Sequence, residues 1–128
     1  MLIAIRLVFW AACAGVAVLS LLPAALLPPS LFDWWDKAQH ALAFAALSTL
    51  GQYAYMSARR RVVFGLMAYG ALIEIAQHAT GWRYGDVLDW VADCVGIGIG
   101  FALMTLVHWP NAGTVGVGSG TSPDQKRM

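Results

Sequence analysis

Four apolar runs, each long enough to cross a lipid bilayer, constrain this chain more than any other feature. They extend over about 7–27, 38–56, 62–79 and 87–108. A helix needs about 20 predominantly apolar residues to span the hydrocarbon core. The breaks between the runs are abrupt. Pro28-Pro29 closes the first, Arg59-Arg60-Arg61 stops the second, and a polar loop from Thr80 to Asp86 separates the third from the fourth. Only 12% of the residues are charged and 59% are hydrophobic, whereas a soluble domain carries roughly 25% charged residues to cover its surface. The expected fold is therefore all-α, a membrane bundle of four transmembrane helices over residues 1–110. The stretch 111–128 is rich in Gly, Ser and Thr. It has too little apolar area to offset its ordering entropy, so a disordered cytoplasmic tail is expected there.

A cleaved signal peptide is the competing reading of the first run, because Arg6 supplies a positive flank. The run exceeds the usual apolar segment of about 7–15 residues in such peptides, which favours a retained span. The net charge of +1 argues against a nucleic-acid partner. Cys13 and Cys94 both fall inside apolar runs, where a disulfide framework has no place, so both are read as free thiols.

With four spans, Arg6, Arg59, Arg60, Arg61, Lys126 and Arg127 fall on one side, against Lys37 and Arg83 on the other. Positively charged loops stay in the cytoplasm. Both termini and the triple-arginine loop are thus expected inside, and the acidic loops outside. Trp34 and Trp35 sit at the outer end of the second run, the depth where an indole keeps its ring in lipid and its N–H wet.

The informative residues are the polar ones just below that outer face, since an ionisable group inside a span is costly and faces the bundle interior or a cavity. Lys37, His40 and Phe44 share one helical face by three- and four-residue steps, as do Glu74, Gln77 and His78. Asp86, Asp89, Asp93, Gly96 and Gly100 form a stripe on the fourth run. At about 1.5 Å of rise per residue, His40, Glu74 and Asp93 lie at a similar depth.

Each residue also has a structural explanation. Asp33 can cap the second helix with Asp36 completing a capping box, and Asp86 can cap the fourth with Asp89 as its first-turn acid. His40 can serve as a packing group bonded to a neighbouring helix. Glu74 and Asp93 lie at no helix end, and Arg83 is their candidate counter-ion in a structural clamp. Gly96 and Gly100 fit the small-residue spacing that lets helices approach closely, not a phosphate loop. Glu74 and His78, four residues apart, could chelate a divalent ion with His40 or Asp93. His78 ends its span, however, and neither a metal nor another cofactor is expected.

The ordered set Asp36-Lys37, His40, Phe44, Glu74, Gln77, Arg83, Asp86, Asp89, Asp93, Gly96 and Gly100 resembles the VanZ-like membrane protein family. That family places Asp-Lys and a histidine at the outer start of one helix, ends another in Glu-x-x-Gln, and leads through an arginine loop into Asp-x-x-x-Asn-x-x-Gly. Two positions depart from it. Asp93 stands where asparagine is usual, and Phe44 where tyrosine is common. The resemblance implies a protein of the cell envelope, in a family named for a member linked to reduced teicoplanin susceptibility. It implies little about a reaction.

Three functions are consistent with this pattern. The first is a binding protein for an anionic envelope lipid or cell-wall precursor, held in an outward-facing polar pocket. Its ligand-binding residues would be Asp36, Lys37, His40, Glu74, Gln77, Arg83, Asp86, Asp89 and Asp93, with Trp34, Trp35 and Trp82 along the lipid chains. The second is a structural or accessory protein whose polar cluster only locks the bundle. The third is an outer-leaflet enzyme with Glu74 or Asp93 as base and His40 as acid, although no nucleophile signature accompanies them.

Overall fold

The computed structural model describes residues 1–26 and 36–108, and these form four helices. They are α1 (Leu2–Leu21), α2 (Asp36–Ala54), α3 (Arg59–Thr80) and α4 (Val87–His108), with short 3-10 turns at Ala24–Leu26 and Met56–Ala58. No strand occurs among the described residues. The expected tail over 111–128, the Trp34-Trp35 pair and the Asp33 cap lie outside them.

The helix ends have local causes. α1 starts at Leu2, earlier than the expected residue 7, because Arg6 does not flank the helix. Its Nε donates to the Ala54 carbonyl at 3.3 Å, and its guanidinium lies 4.8 Å from the centre of the Tyr55 ring. α1 ends at Leu21, short of the expected residue 27, because Leu22 precedes Pro23 and takes an extended conformation (φ −62°, ψ 140°). α3 stops at Gly81, whose φ of 77° places it in the left-handed region that glycine enters at no steric cost.

Three of the helices are long and apolar enough to cross a membrane by themselves: α1, α3 with its preceding turn, and α4. α2 is not, and its position explains why. It makes the most extensive helix–helix contact of the bundle, with α4, and several of its polar side chains turn inward. Ser48 and Gln52 are fully buried, Ser48 donating to the Ile97 carbonyl at 2.9 Å and Gln52 donating to Ser48 Oγ at 2.8 Å. Arg59 continues this chain by donating to Gln52 Oε1 and Thr105 Oγ1, both at 3.1 Å. With its 19 residues, α2 is about 28 Å long, close to the thickness of a hydrocarbon core.

α2 and α4 are in backbone contact. A Cβ on Gly96 would collide with the Ala41 carbonyl, and one on Gly100 would lie 2.7 Å from the Ala45 carbonyl oxygen. The buried face of α4 carries Asp89, Asp93, Gly96, Ile97, Gly100 and Met104. Its opposite face exposes Val91, Val95, Ile99, Leu103 and Leu106. An apolar exterior around a polar seam suits lipid, because water would not stabilise so continuous an apolar surface.

Candidate functional site

The polar groups meet at the end of the bundle where α2 and α4 begin and α3 finishes. Helix starts and ends carry unpaired backbone groups, so polar side chains are stabilised there. Asp86 caps α4 as its sequence suggests, accepting the Leu88 N–H at 2.9 Å. The N–H of Asp86 itself is taken by Glu74 Oε2 at 2.8 Å, so a carboxylate from α3 performs the task usually given to the third residue of the capped helix. This leaves Asp89, which occupies that third position, to another partner. Lys37 donates to Asp89 Oδ1 at 2.7 Å and to Asp86 Oδ2 at 3.0 Å. Gly85 makes the arrangement possible, because a Cβ there would collide with the Glu74 carbonyl.

One turn deeper, His40 Nδ1 lies 2.9 Å from Asp93 Oδ1. The Asp93 side chain is 0% exposed and that of His40 is 14% exposed, whereas the Lys37 ammonium above them is half-exposed. The other Asp93 oxygen lies against α3 at Gly70, where a Cβ would stand only 2.7 Å from it. His40, Glu74 and Asp89 each offer a ligand atom, all within 4.8 Å of one another. Among the described residues, three buried side-chain oxygens accept no hydrogen bond: Glu74 Oε1 and Asp93 Oδ2 in the cluster, and Gln77 Oε1 beside α1. The cluster thus sets, among the described residues, four carboxyl groups, Glu74, Asp86, Asp89 and Asp93, against one ammonium and one imidazole.

The structure gathers Lys37, His40, Glu74, Asp86, Asp89 and Asp93 but assigns Gln77 and Arg83 to a different contact. Gln77 donates to the Ser20 carbonyl at 3.0 Å. Arg83 donates through Nε to Leu22 at 3.1 Å and through a terminal nitrogen to Leu19 at 3.3 Å. Both fasten the end of α1, with help from Trp82 Nε1 on the Leu21 carbonyl at 3.2 Å. These orphan carbonyls arise because α1 terminates at a proline, so the demand for donors was readable in the sequence even though the donors' identity was not. Asp36 opens α2; its side chain lies outside the described residues. His78, paired with Glu74 by four-residue spacing, is exposed. It lines a cleft of about 370 Å³ between α3 and α4, with Glu74 and Trp90 on its walls. His78 is thus not part of the set that Glu74 forms with His40 and Asp89.

Outside the apolar spans, the charges at the rim respond to their contacts. The Leu88 N–H, and then the Lys37 ammonium, hold the Asp86 carboxyl below its ordinary pKa. The same contacts hold the Lys37 ammonium above its own, through Asp89 first and Asp86 second. For Asp86 the native state favours the ionised form, so its contribution to stability is present above the unfolded carboxyl's pKa and is lost as pH falls through the depressed native value. Acidification below about pH 4 should therefore lower the melting temperature in detergent. Asp86→Asn, which keeps a capping oxygen, should reduce that acid sensitivity. An unchanged acid response in the variant would remove Asp86 from the account.

Ser48 and Cys94 do not complete a catalytic set with the cluster. Ser48 is committed to Ile97 and Gln52, and it lies two helical turns beyond His40, about 12 Å along α2. Cys94 is half-buried and free.

Comparison with curated proteins gives no match, and comparison with solved structures gives none. The sequence profile of the VanZ/LLP1 family matches residues 5–108, which takes in α1 from Ile5 onward, the whole of α2, α3 and α4, and every residue of the cluster. With three helices able to cross a bilayer and an apolar exterior around them, the chain belongs to the VanZ/LLP1 family and is a membrane protein.

Proposed function

We propose that this chain is a cell-envelope binding protein that spans the membrane four times. It takes the polar head of an anionic envelope lipid or cell-wall precursor at its Lys37 end. The observation that carries this reading is the set of buried acceptor oxygens without donors, Glu74 Oε1 and Asp93 Oδ2, beneath a half-exposed ammonium. A buried polar atom left unpaired costs about 1–3 kcal/mol, and a ligand that supplies a donor removes that cost. Hydroxyl or ammonium groups of the head would face the carboxylates, and its phosphate or carboxylate would face Lys37. Trp82 and Tyr84, both exposed at this end, would lie beside the lipid chains.

Lipids retained by the full chain in mild detergent, identified by mass spectrometry, test the proposal. One anionic lipid or precursor should be enriched over its share of the source membrane, and Lys37→Gln should abolish that enrichment while leaving the helical content intact. Retention in proportion to the membrane's composition would contradict it.

A second reading, that the cluster locks the bundle, is favoured by the internal pairing of Lys37 with Asp86 and Asp89 and of His40 with Asp93. Under that reading Lys37→Gln lowers the melting temperature without changing the lipid profile.

The proposal requires the Lys37 end to face outward. Reporter fusions after Arg61 and at Met128 should read cytoplasmic, and a fusion within residues 80–85 should read external. The six-to-two distribution of Lys and Arg supports this orientation. An external signal after Arg61 would invert the orientation and place the site on the wrong side.

A further inference from the structure

We infer that His40, Glu74 and Asp89 form a binding site for a divalent transition-metal ion. The inference rests on the reading of the Lys37 end as a binding site and adds the component that reading lacks. Among the described residues, four carboxyl groups surround one ammonium and one imidazole, and a bound cation would offset the negative charge that an anionic head meets there.

The geometry comes from three helices. α2 supplies an imidazole, α3 a carboxylate and α4 a second carboxylate, with a ligand atom of each within 4.8 Å of the others. Metal–ligand bonds of roughly 2.0–2.2 Å at tetrahedral angles put ligand atoms about 3.4 Å apart. Groups at the 4.8 Å limit would close by roughly 1.4 Å, a shift within reach of side-chain rotation. Two further observations point to a cation. Glu74 is 9% exposed, and its Oε1 accepts no hydrogen bond, while Oε2 holds the Asp86 N–H and keeps the carboxylate in place. Metal-bound histidines also characteristically place their second ring nitrogen on a carboxylate, which fixes the ring and raises its basicity. Asp93 makes that contact here, through Oδ1 to His40 Nδ1. The family's usual asparagine would make the same contact without charge; the carboxylate of Asp93 strengthens the imidazole as a donor.

One imidazole with two carboxylates suits zinc or manganese better than a thiolate-seeking or an all-oxygen ion. Lys37 is the competitor. Its ammonium sits 2.7 Å from Asp89 Oδ1, and its side chain is 47% exposed, so it can withdraw into solvent when a metal arrives.

The test uses the full chain in mild detergent, stripped with a chelator and titrated with Mn²⁺ while the free-ion paramagnetic resonance signal is followed. One ion should be taken up per chain. Glu74→Gln and Asp89→Asn should each weaken uptake by more than about 10-fold, His78→Ala should leave it unchanged, and Lys37→Met should tighten it. Far-UV circular dichroism and elution volume identify any variant that fails to fold, and a folded Asp89→Asn or Lys37→Met suffices for the comparison. A free-ion signal undiminished by wild-type protein, or uptake that survives Glu74→Gln and Asp89→Asn, would overturn the site. Lipid analysis of the stripped protein separates the two proposals. Enrichment that persists without metal uptake leaves the binding function and removes the metal, whereas metal uptake without lipid enrichment does the reverse.

Discussion

Gly96→Ala is expected to be the most damaging single-methyl change in this protein. The added Cβ would meet the carbonyl oxygen, carbonyl carbon and Cα of Ala41, all of them backbone atoms of the facing helix. A side chain can rotate away from such a contact, but a helix backbone cannot. Relief therefore requires α2 and α4 to separate, which loosens the contacts of Phe44, Leu47 and Ile97 in the core. Overpacking costs typically 1–3 kcal/mol and sometimes more; a backbone clash at the closest helix pair should reach about 3 kcal/mol. The separation should also disturb the cluster, since Ala41 adjoins His40 and Gly96 lies one turn from Asp93. Gly98 provides the control, because a Cβ there meets nothing within 4 Å. Denaturation in mixed micelles, followed by circular dichroism, should show a large loss for Gly96→Ala and none for Gly98→Ala. Equal behaviour of the two variants would show that the close α2–α4 contact does not govern stability.

The second large effect is expected at His40. Asp93 is fully buried and its described partner is His40 Nδ1, so His40→Ala leaves a buried carboxylate with neither of its oxygens bonded to that ring. Leaving a buried carboxyl group without its hydrogen-bond partner costs about 1–3 kcal/mol, rising to about 3–5 kcal/mol when the imidazole is protonated and the contact is an ion pair. In an Asp93→Asn background the same His40→Ala change should cost markedly less, since a neutral amide is cheaper to leave unpaired. Asp93→Asn alone should be neutral or stabilising, as it keeps the acceptor for His40 and removes a surplus acid. A double-mutant cycle over these variants measures the coupling. Additive losses, with no coupling energy, would show that the His40–Asp93 contact contributes little to stability.

The helical faces of the cluster were legible in the sequence because a helix repeats every 3.6 residues. Asp89, Asp93, Gly96 and Gly100 appear together on the buried face of α4, as their spacing requires. Lys37, His40 and Phe44 likewise share one side of α2, with the Lys37 and His40 side chains directed at carboxylates of α4. The reading fails where three-residue and four-residue steps diverge. Gln77 is buried and His78 is exposed, although both were assigned to the face of Glu74. Adjacent residues are turned by about 100°, so no single stripe holds both.

The apolar runs by themselves determined that this chain forms lipid-compatible helices, and the ordered polar residues within them determined its family. Hydrocarbon offers no partner for an open backbone, so apolar runs of this length have one solution. Which polar group meets which was decided only by the tertiary structure. Arg83, the expected counter-ion of Glu74 and Asp93, donates to carbonyls at the end of α1, because Pro23 terminates that helix within its reach. Glu74 turns to the start of α4 because Gly85 allows the backbones to touch. Ser48 and Gln52 of α2 are fully buried because they face α4 and the interior, not lipid. Local spacing sets the direction of a side chain from its own helix; its partner depends on how the helices pack against one another, and no period within a single helix encodes that.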